Sequence, residues 1–568
     1  MTTPGGARDS PLAHPEQIER SATSSREANG SFGYGHTVTR YVRIILVFSL
    51  AIILTACVIP GTEERPAPGG TYREAVVGQP ASLNPLLHPT DPITHDVASL
   101  VFAGLTRLEA GQAVADLAES WGGSPDGRIY EFKLRADARW HDGRPVTPAD
   151  VLATIALLQS PTYQGSDALR AEWAGVQTAQ VGDRGLRFEL PSPNASFLEL
   201  CTLPIQPAHL FGDDGSADLL EHPASYAPVG AGPMRFVSID PGQLILQRND
   251  AYYGNRPLVD RIVFRFYPDH AAALAALLAG EVDGLAGVQP GELDGAVVQE
   301  SLHILDAPLL ADQTVLVINH RSPILREAAV RHALALAIDR EALVAGPLAG
   351  SAAPAYGPLP ASADGYRSDL VETSPDRAAA ATELEDADWR GVPIRARAGS
   401  PLRVQLIATE RDRRLAFAIA EQLRTVGIDA AVGTANPLEY YRDMLLPGSF
   451  DLAVVEWRLG AAQADLSPFW GSAGDFNFGE YGNPRADAAL ATARNAADTT
   501  SHVDALAAFQ QIWVDDVPGV VLASPILHYA VSTRVQDVQL GRLVDPSDRF
   551  ANVARWYTQT QRVPALLR

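Results

Sequence analysis

The residues with which this chain could do covalent chemistry are few: two cysteines, one lysine and thirteen histidines among 568 residues. The lysine, Lys133, stands in Phe132-Lys133-Leu134, so no G-x-x-x-x-G-K-[ST] phosphate loop can form, and any Schiff-base chemistry would fall to that single amine. Two cysteines cannot furnish a Cys-rich zinc site, and no C-x-x-C occurs. The histidines show no H-E-x-x-H or comparable metal spacing, and no G-x-S-x-G nucleophile elbow is present. His141-Asp142 suggests an acid–base pair, but His141-Asp142-Gly143 reads as a turn between a strand and a helix. No catalytic residue, metal site or cofactor is expected. An extracellular hydrolase remains as the enzymatic alternative.

Cys57 points to a different chemistry. Arg40 and Arg43 precede an apolar run from Ile44 to Leu54, broken only by Ser49. Eleven residues rise about 16 Å as a helix, too little to cross a hydrocarbon core of about 30 Å. Positive charge followed by a short apolar run is the pattern of an export signal. The run ends in Leu54-Thr55-Ala56-Cys57, which resembles the bacterial lipobox, where the cysteine thiol carries diacylglycerol. Cys57 is therefore the expected lipidation site, holding the protein to the outer face of the cytoplasmic membrane or in the periplasm. Residues 1–39 are long for a leader, so the expected translation start lies downstream, at Val38 or Val42. Pro60 to Gly70, with three prolines and three glycines, reads as a flexible tether. With Cys57 modified, Cys201 is left unpaired and is expected as a small buried apolar residue.

The net charge of −22 excludes a general nucleic-acid binder, which needs surplus Lys and Arg to meet phosphate. Apolar content of 46% and charged content of 20% are those of a globular protein, and the length exceeds what one core supports. Strand and helix signals alternate along the chain. Tyr130, Phe132 and Leu134 alternate as on a half-buried strand, and Thr147-Pro148-Ala149-Asp150 opens a helix. Ile262, Phe264 and Phe266 alternate, a helix follows over 271–279, and Glu281-Val282-Asp283 is a short strand candidate. Asp339 and Arg340 read as a helix N-cap and a solvated neighbour.

The clearest α/β region comes later. Leu402 to Ile407 is an expected strand, Leu415 to Val426 a helix stopped by Gly427, and Ile428 to Val432 the next strand. Asn436-Pro437 opens another helix, and Phe450 to Glu456 is an apolar run with the look of a buried strand. A β-α-β-α-β order implies parallel strands with right-handed crossovers. In open α/β sheets ligands sit beyond the carboxyl ends of strands, which singles out Trp457 and Arg458.

An ordered set of segments then resembles a known family. It includes Ser82-Leu83-Asn84-Pro85, Phe102-Ala103-Gly104-Leu105-Thr106, Asp116-Leu117-Ala118-Glu119-Ser120-Trp121 and Trp140-His141-Asp142-Gly143. It continues through Pro228-Val229-Gly230-Ala231-Gly232-Pro233, Arg248-Asn249-Asp250-Ala251-Tyr252-Tyr253-Gly254, the run from Leu325 to Arg340, and Tyr481-Gly482-Asn483-Pro484. Over residues 70–535 the chain resembles family 5 of the bacterial extracellular solute-binding proteins, the oligopeptide-, dipeptide- and nickel-binding components of ATP-binding-cassette importers.

The resemblance implies an α/β, periplasmic-binding-protein-like two-lobe clamshell (type II, cluster C-like) with an extra domain on the first lobe. It divides the chain into a leader (1–56), a tether (57–69), a discontinuous first domain (70–112, 223–312 and 527–568), its elaboration (113–222) and a second lobe (313–526). The lobes are expected to close about a solute, and a monomer with permease subunits as partners is implied. A small solute, by default a peptide, would lie against Glu456, Trp457 and Arg458, with Leu105 and Thr106 opposite.

In many peptide-binding members an aspartate three residues beyond the matching Trp holds the peptide ammonium. Here that position is Gly460, and Asp465, in Asp465-Leu466-Ser467-Pro468, is the candidate substitute. A glycine cannot neutralise a buried ammonium. The alternatives are therefore a non-peptide ligand (a metal chelate, a sugar or another small molecule) or a ligand sensor that docks to a membrane signalling partner.

Overall fold

A computed structural model describes residues 62–564, except 110, 213–216, 293–299, 362, 364, 371–373 and 460–464. The export signal and Cys57 lie outside the described residues. The tether expectation is corrected in part: Thr62–Ala67 is a strand and pairs with Gln559–Pro564. Backbone donors and acceptors that find a ladder partner do not stay free, even in a stretch rich in proline and glycine.

The α/β order read from the second half is present. Arg403–Thr409 runs parallel to Asp429–Ala435 over seven residue pairs and parallel to the start of Leu452–Arg458. Between the first two strands lies the helix Arg413–Arg424, whose Leu415, Ala416, Ile419, Ala420 and Leu423 form one buried face. Gly427 follows it at φ +90°, and a Cβ there would stand 2.6 Å from Cγ of Arg395, so only glycine fits the turn. The helix opened by Asn436-Pro437 is short, Pro437–Glu439, and continues as a π-type turn over Tyr440–Leu445.

Asp312–Ile318 joins this sheet antiparallel to Leu452–Arg458, with Gln313 opposite Trp457 and Asp312 opposite Arg458. Because side chains alternate, one face of the sheet buries Leu316, Leu406 and Val454, and the other buries Val315, Val455 and Trp457. Helices cover both faces, among them Arg413–Arg424 on the first and Thr499–Asp516 on the second. That explains the near-continuous apolar strands in the sequence.

The first half carries Thr71–Val77 parallel to Arg261–Tyr267, which pairs antiparallel with Gln243–Arg248 and so leads to Met234–Asp240. The strand expected at 281–283 is displaced to Gly284–Ala286. Asp283 instead accepts from the backbone N–H of Arg73 and from the Arg534 guanidinium. A separate antiparallel sheet of Ala118–Gly123, Ile129–Leu134, Gly185–Glu189 and Gln177–Val181 packs Phe132 and Phe188 around Phe197 and Trp173. The helix Pro148–Gln159 starts with the expected capping box from Thr147 and Asp150.

One strand serves both halves. Gly519–Ser532 pairs with Asp312–Ile318 through Gly519 to Ala523, then with Leu302–Pro308 through Ile526 to Ser532. Its distal part also meets Gly284–Ala286, which pairs in turn with Thr71–Val77. The expected boundary between residues 526 and 527 therefore falls inside one continuous strand.

Candidate functional site

The carboxyl end of Leu452–Arg458 has an open edge. Arg403–Thr409 pairs with it only at Leu406–Leu452 and Ile407–Ala453, and among the described residues no strand is registered beside Val454 to Arg458 on that side. The N–H of Leu459 donates to Ala311 O at 2.7 Å, so the main-chain groups of the odd-numbered residues face Asp312–Ile318 and those of Glu456 and Arg458 face the open side. At the base of the opening the Tyr440 hydroxyl donates to Val454 O at 2.6 Å. An edge with free N–H and C=O groups is a template for another strand.

The side chains around that edge divide by parity. Glu456 and Arg458 are the exposed ones. Arg411 reaches Glu456 at 3.1 Å. Arg458 grips Asp312 with two bonds, Nε to Oδ1 at 2.7 Å and Nη2 to Oδ2 at 2.9 Å, the fork geometry of a strong pair. Its remaining nitrogen, Nη1, stands 3.2 Å from Oδ2 of Asp545, which comes from the C-terminal part of the first half. Asp545 is held in turn by Nδ1 of His95 at 3.2 Å and by the backbone N–H of Ser547 at 2.8 Å. Burial alone would raise the Asp545 carboxyl, but those hydrogen bonds hold it well below the usual carboxylate range. Burial opposes charge on His95, and the Asp545 carboxylate overrides it and raises the imidazole.

Trp457 departs from its expected position in a cleft. Its side chain is only 5% exposed and lies in the core, with ring centroids 5.1 Å from Phe469 and 4.9 Å from Trp470. An odd position on this strand faces the side packed by Phe469, Trp470 and the helix Thr499–Asp516, which is why its ring turns inward. Leu105 and Thr106 are each 1% exposed. The Thr106 hydroxyl is spent on Leu198 O at 2.6 Å, and Leu105 sits in the core of the first half. Neither side chain is free to meet a ligand, and the group that crosses to the strand end is Asp545 instead. Gly460 lies outside the described residues. Asp465 stands one residue before Leu466, the N-cap of the short helix Ser467–Trp470, and its Oδ1 accepts from Ser467 N at 2.9 Å.

Sequence reasoning missed Asp312 and Asp545, and nothing in it selected His95 from the other histidines. Asp545-Pro546-Ser547-Asp548 carries a visible N-cap signature, and the structure confirms a capping box there. Nothing local to those residues discloses that the same carboxylate reaches Arg458, 87 positions away.

Other candidates for chemistry are absorbed by the fold. Lys133 pairs with Glu119 at 2.7 Å on the surface. Cys201 is 1% exposed, and burial pushes its thiol well above its ordinary range. His141 receives Gly230 N–H on Nδ1 at 3.2 Å and meets Gly232 O through Nε2 at 3.0 Å, so it staples a turn. Among the described residues no group of three or more His, Cys, Asp or Glu side chains is placed to hold a metal ion. Among them, too, no helix is long and apolar enough to cross a membrane.

Comparison with known proteins fits this geometry. The family description for the middle region of bacterial extracellular solute-binding proteins, family 5, matches residues 112–477. The oligopeptide-binding protein AppA of Bacillus subtilis (strain 168) is 26% identical over 545 residues, covering 91% of this chain and 98% of that protein. The structure of that protein in complex with a nonapeptide superposes with a TM-score of 0.65 at 24% identity, over 87% of this chain and 99% of the other. NikA from Brucella suis in complex with Fe(III)-EDTA superposes with a TM-score of 0.73 at 23% identity, over 86% of this chain and all of the other. At such identities the structural matches establish the two-lobe α/β fold.

Proposed function

Because this chain belongs to the bacterial extracellular solute-binding proteins of family 5, we propose that it is the receptor of an ATP-binding-cassette importer and that its solute is a peptide bound as an added strand on the open edge of Leu452–Arg458. The open edge is the observation that carries the reading. Peptide main chain has the same repeat of donors and acceptors as the missing strand, so pairing would recognise the backbone and leave side chains to secondary contacts. The peptide-binding names of AppA and of the Escherichia coli dipeptide-binding protein support the same class of solute.

Arg458 supports a role in closure. It is anchored on one half by Asp312 and touches the other half through Asp545, so it reports whether the halves are together. A ligand closes such a protein only to the extent that it binds the closed state more tightly than the open one. We assign the ligand's backbone contacts to Glu456 and Arg458, and leave Trp457 as the buried wall behind them.

The test is calorimetric titration of ligand-stripped protein with a mixture of tri- to pentapeptides, alongside small-angle scattering. Heat of binding with a smaller radius of gyration is the expected result. Neither signal with peptides would remove the peptide reading. Membrane attachment through Cys57 is part of the same proposal: Cys57→Ser should move the protein from the membrane fraction to the medium or periplasm, and retention on membranes would reject it.

A further inference from the structure

We infer that the solute carries an apolar, preferably aromatic, side chain, and that a shelf of rings beside the open edge receives it; this rests on the reading of that edge as the ligand's partner strand. Trp457 begins the shelf, 5.1 Å from Phe469. Phe469 is stacked on Phe476 at 5.4 Å and 21°, Phe476 lies 6.3 Å from Phe478, and Phe478 lies 6.0 Å from Tyr441. Tyr441 follows Tyr440, whose hydroxyl is bonded to Val454 O. The series of rings thus starts at Trp457 and ends at Tyr441, the sequence neighbour of the Tyr440 that bonds Val454 O.

The inner members are covered, and the outer ones are not. Phe469 is 6% exposed, whereas Phe476 is 43% and Tyr441 45% exposed, with Leu438 at 68% on the same short turn of chain as Tyr441. Contiguous large apolar groups left open to water mark a place where something apolar is to be seated. Continuity with the open edge identifies the occupant. A strand added there projects successive side chains to opposite faces of the sheet. Those on the side of Val455 and Trp457 would pass over the rings, and those on the other side would meet the charged pairs of Glu456 and Arg458. Offset and edge-on ring contacts then favour an aromatic side chain over an aliphatic one.

The experiment uses pentaalanine and the five pentapeptides with one Phe in place of Ala, titrated into the full-length protein and into Phe476→Ala and Tyr441→Ala. Both residues are nearly half exposed, so the variants should fold; matching melting curves check this, and Phe476→Leu is a milder replacement should either fail. At least one Phe peptide should bind the wild type about tenfold more tightly than pentaalanine, a step of about 1.4 kcal/mol. That ratio should fall to about threefold or less in the variants. A wild type with no preference among the peptides, or a preference undiminished in both variants, overturns the shelf and leaves the edge reading standing. A wild type that binds none of the six overturns the edge reading and the shelf with it.

Discussion

Nη1 of Arg458 and Oδ2 of Asp545 stand 3.2 Å apart although they belong to different halves of the molecule. The two ends of the contact are built differently. Arg458 is exposed but clamped by Asp312, while Asp545 is mostly covered and fixed by a helix cap and a histidine. The halves are therefore coupled through two preset groups whose side chains have little freedom left to lose.

Asp545→Asn keeps the cap on Ser547 and removes the charge that faces Arg458. The Arg458 contact is worth about 0.2–1 kcal/mol at this exposure, but the same carboxylate also holds His95 and is itself held well below its usual range, so the melting temperature should fall as well. The closed population should fall, and peptide affinity should drop about 1.4- to fivefold by the free energy of the Arg458 contact. Scattering from the ligand-free variant, compared with the wild type, measures the first effect, and a smaller radius in the variant would contradict it.

Trp457→Ala should cost about 3–5 kcal/mol of stability, because it empties a site surrounded by Phe469 and Trp470. The strand-end rule alone leads to the opposite expectation, a loss of affinity with little loss of stability. Urea unfolding decides between them, and an unchanged midpoint would return the ring to the cleft.

Arg549 is 3% exposed and binds Glu74 and Asp96, both buried. Burial raises those two carboxyls and the guanidinium pulls them back down. Arg549→Leu should cost about 3–5 kcal/mol near neutral pH, since two buried charges lose their partner. In the variant both carboxyls would hold protons at higher pH when folded than when unfolded, so its deficit should shrink as pH falls. Melting curves at pH 5 and pH 8 give the comparison.

His141 is held down to about 4 by burial. Its folded value lies below its unfolded one, so the unfolded chain binds more protons between pH 4 and 6.5, and stability should be lost as pH falls through that window. The contribution approaches about 3 kcal/mol at full depression. His141→Gln should flatten the pH profile of the melting temperature over that range, and an unaltered slope would show that His141 is not the group responsible.

Much of the architecture was legible because local patterns and long-range packing agree. The strand Phe450–Glu456 was expected from its apolar run and appears two residues later as Leu452–Arg458; the cap of Asp339 appears with its side chain on Ala342 N. Arg340 is the counterexample. Beside a cap it reads as solvated, but it is 8% exposed, its Nε donates to Val521 O at 2.8 Å, and burial lowers it to about 10. No short-range pattern encodes a carbonyl 181 residues away. The site divides in the same way. The strand end came from periodicity, while the inward turn of Trp457 and the reach of Asp545 depend on how the sheet is covered and how the chain returns.

The ribbon Gly519–Ser532 bears on how this protein could be cut or rebuilt. Since it supplies ladder partners to both halves, a scission after Pro525 would give two fragments, each with a raw sheet margin where its neighbour ended, and such margins invite self-association. Split reporters and swapped chimeras should keep that ribbon whole and place their junctions in surface turns elsewhere.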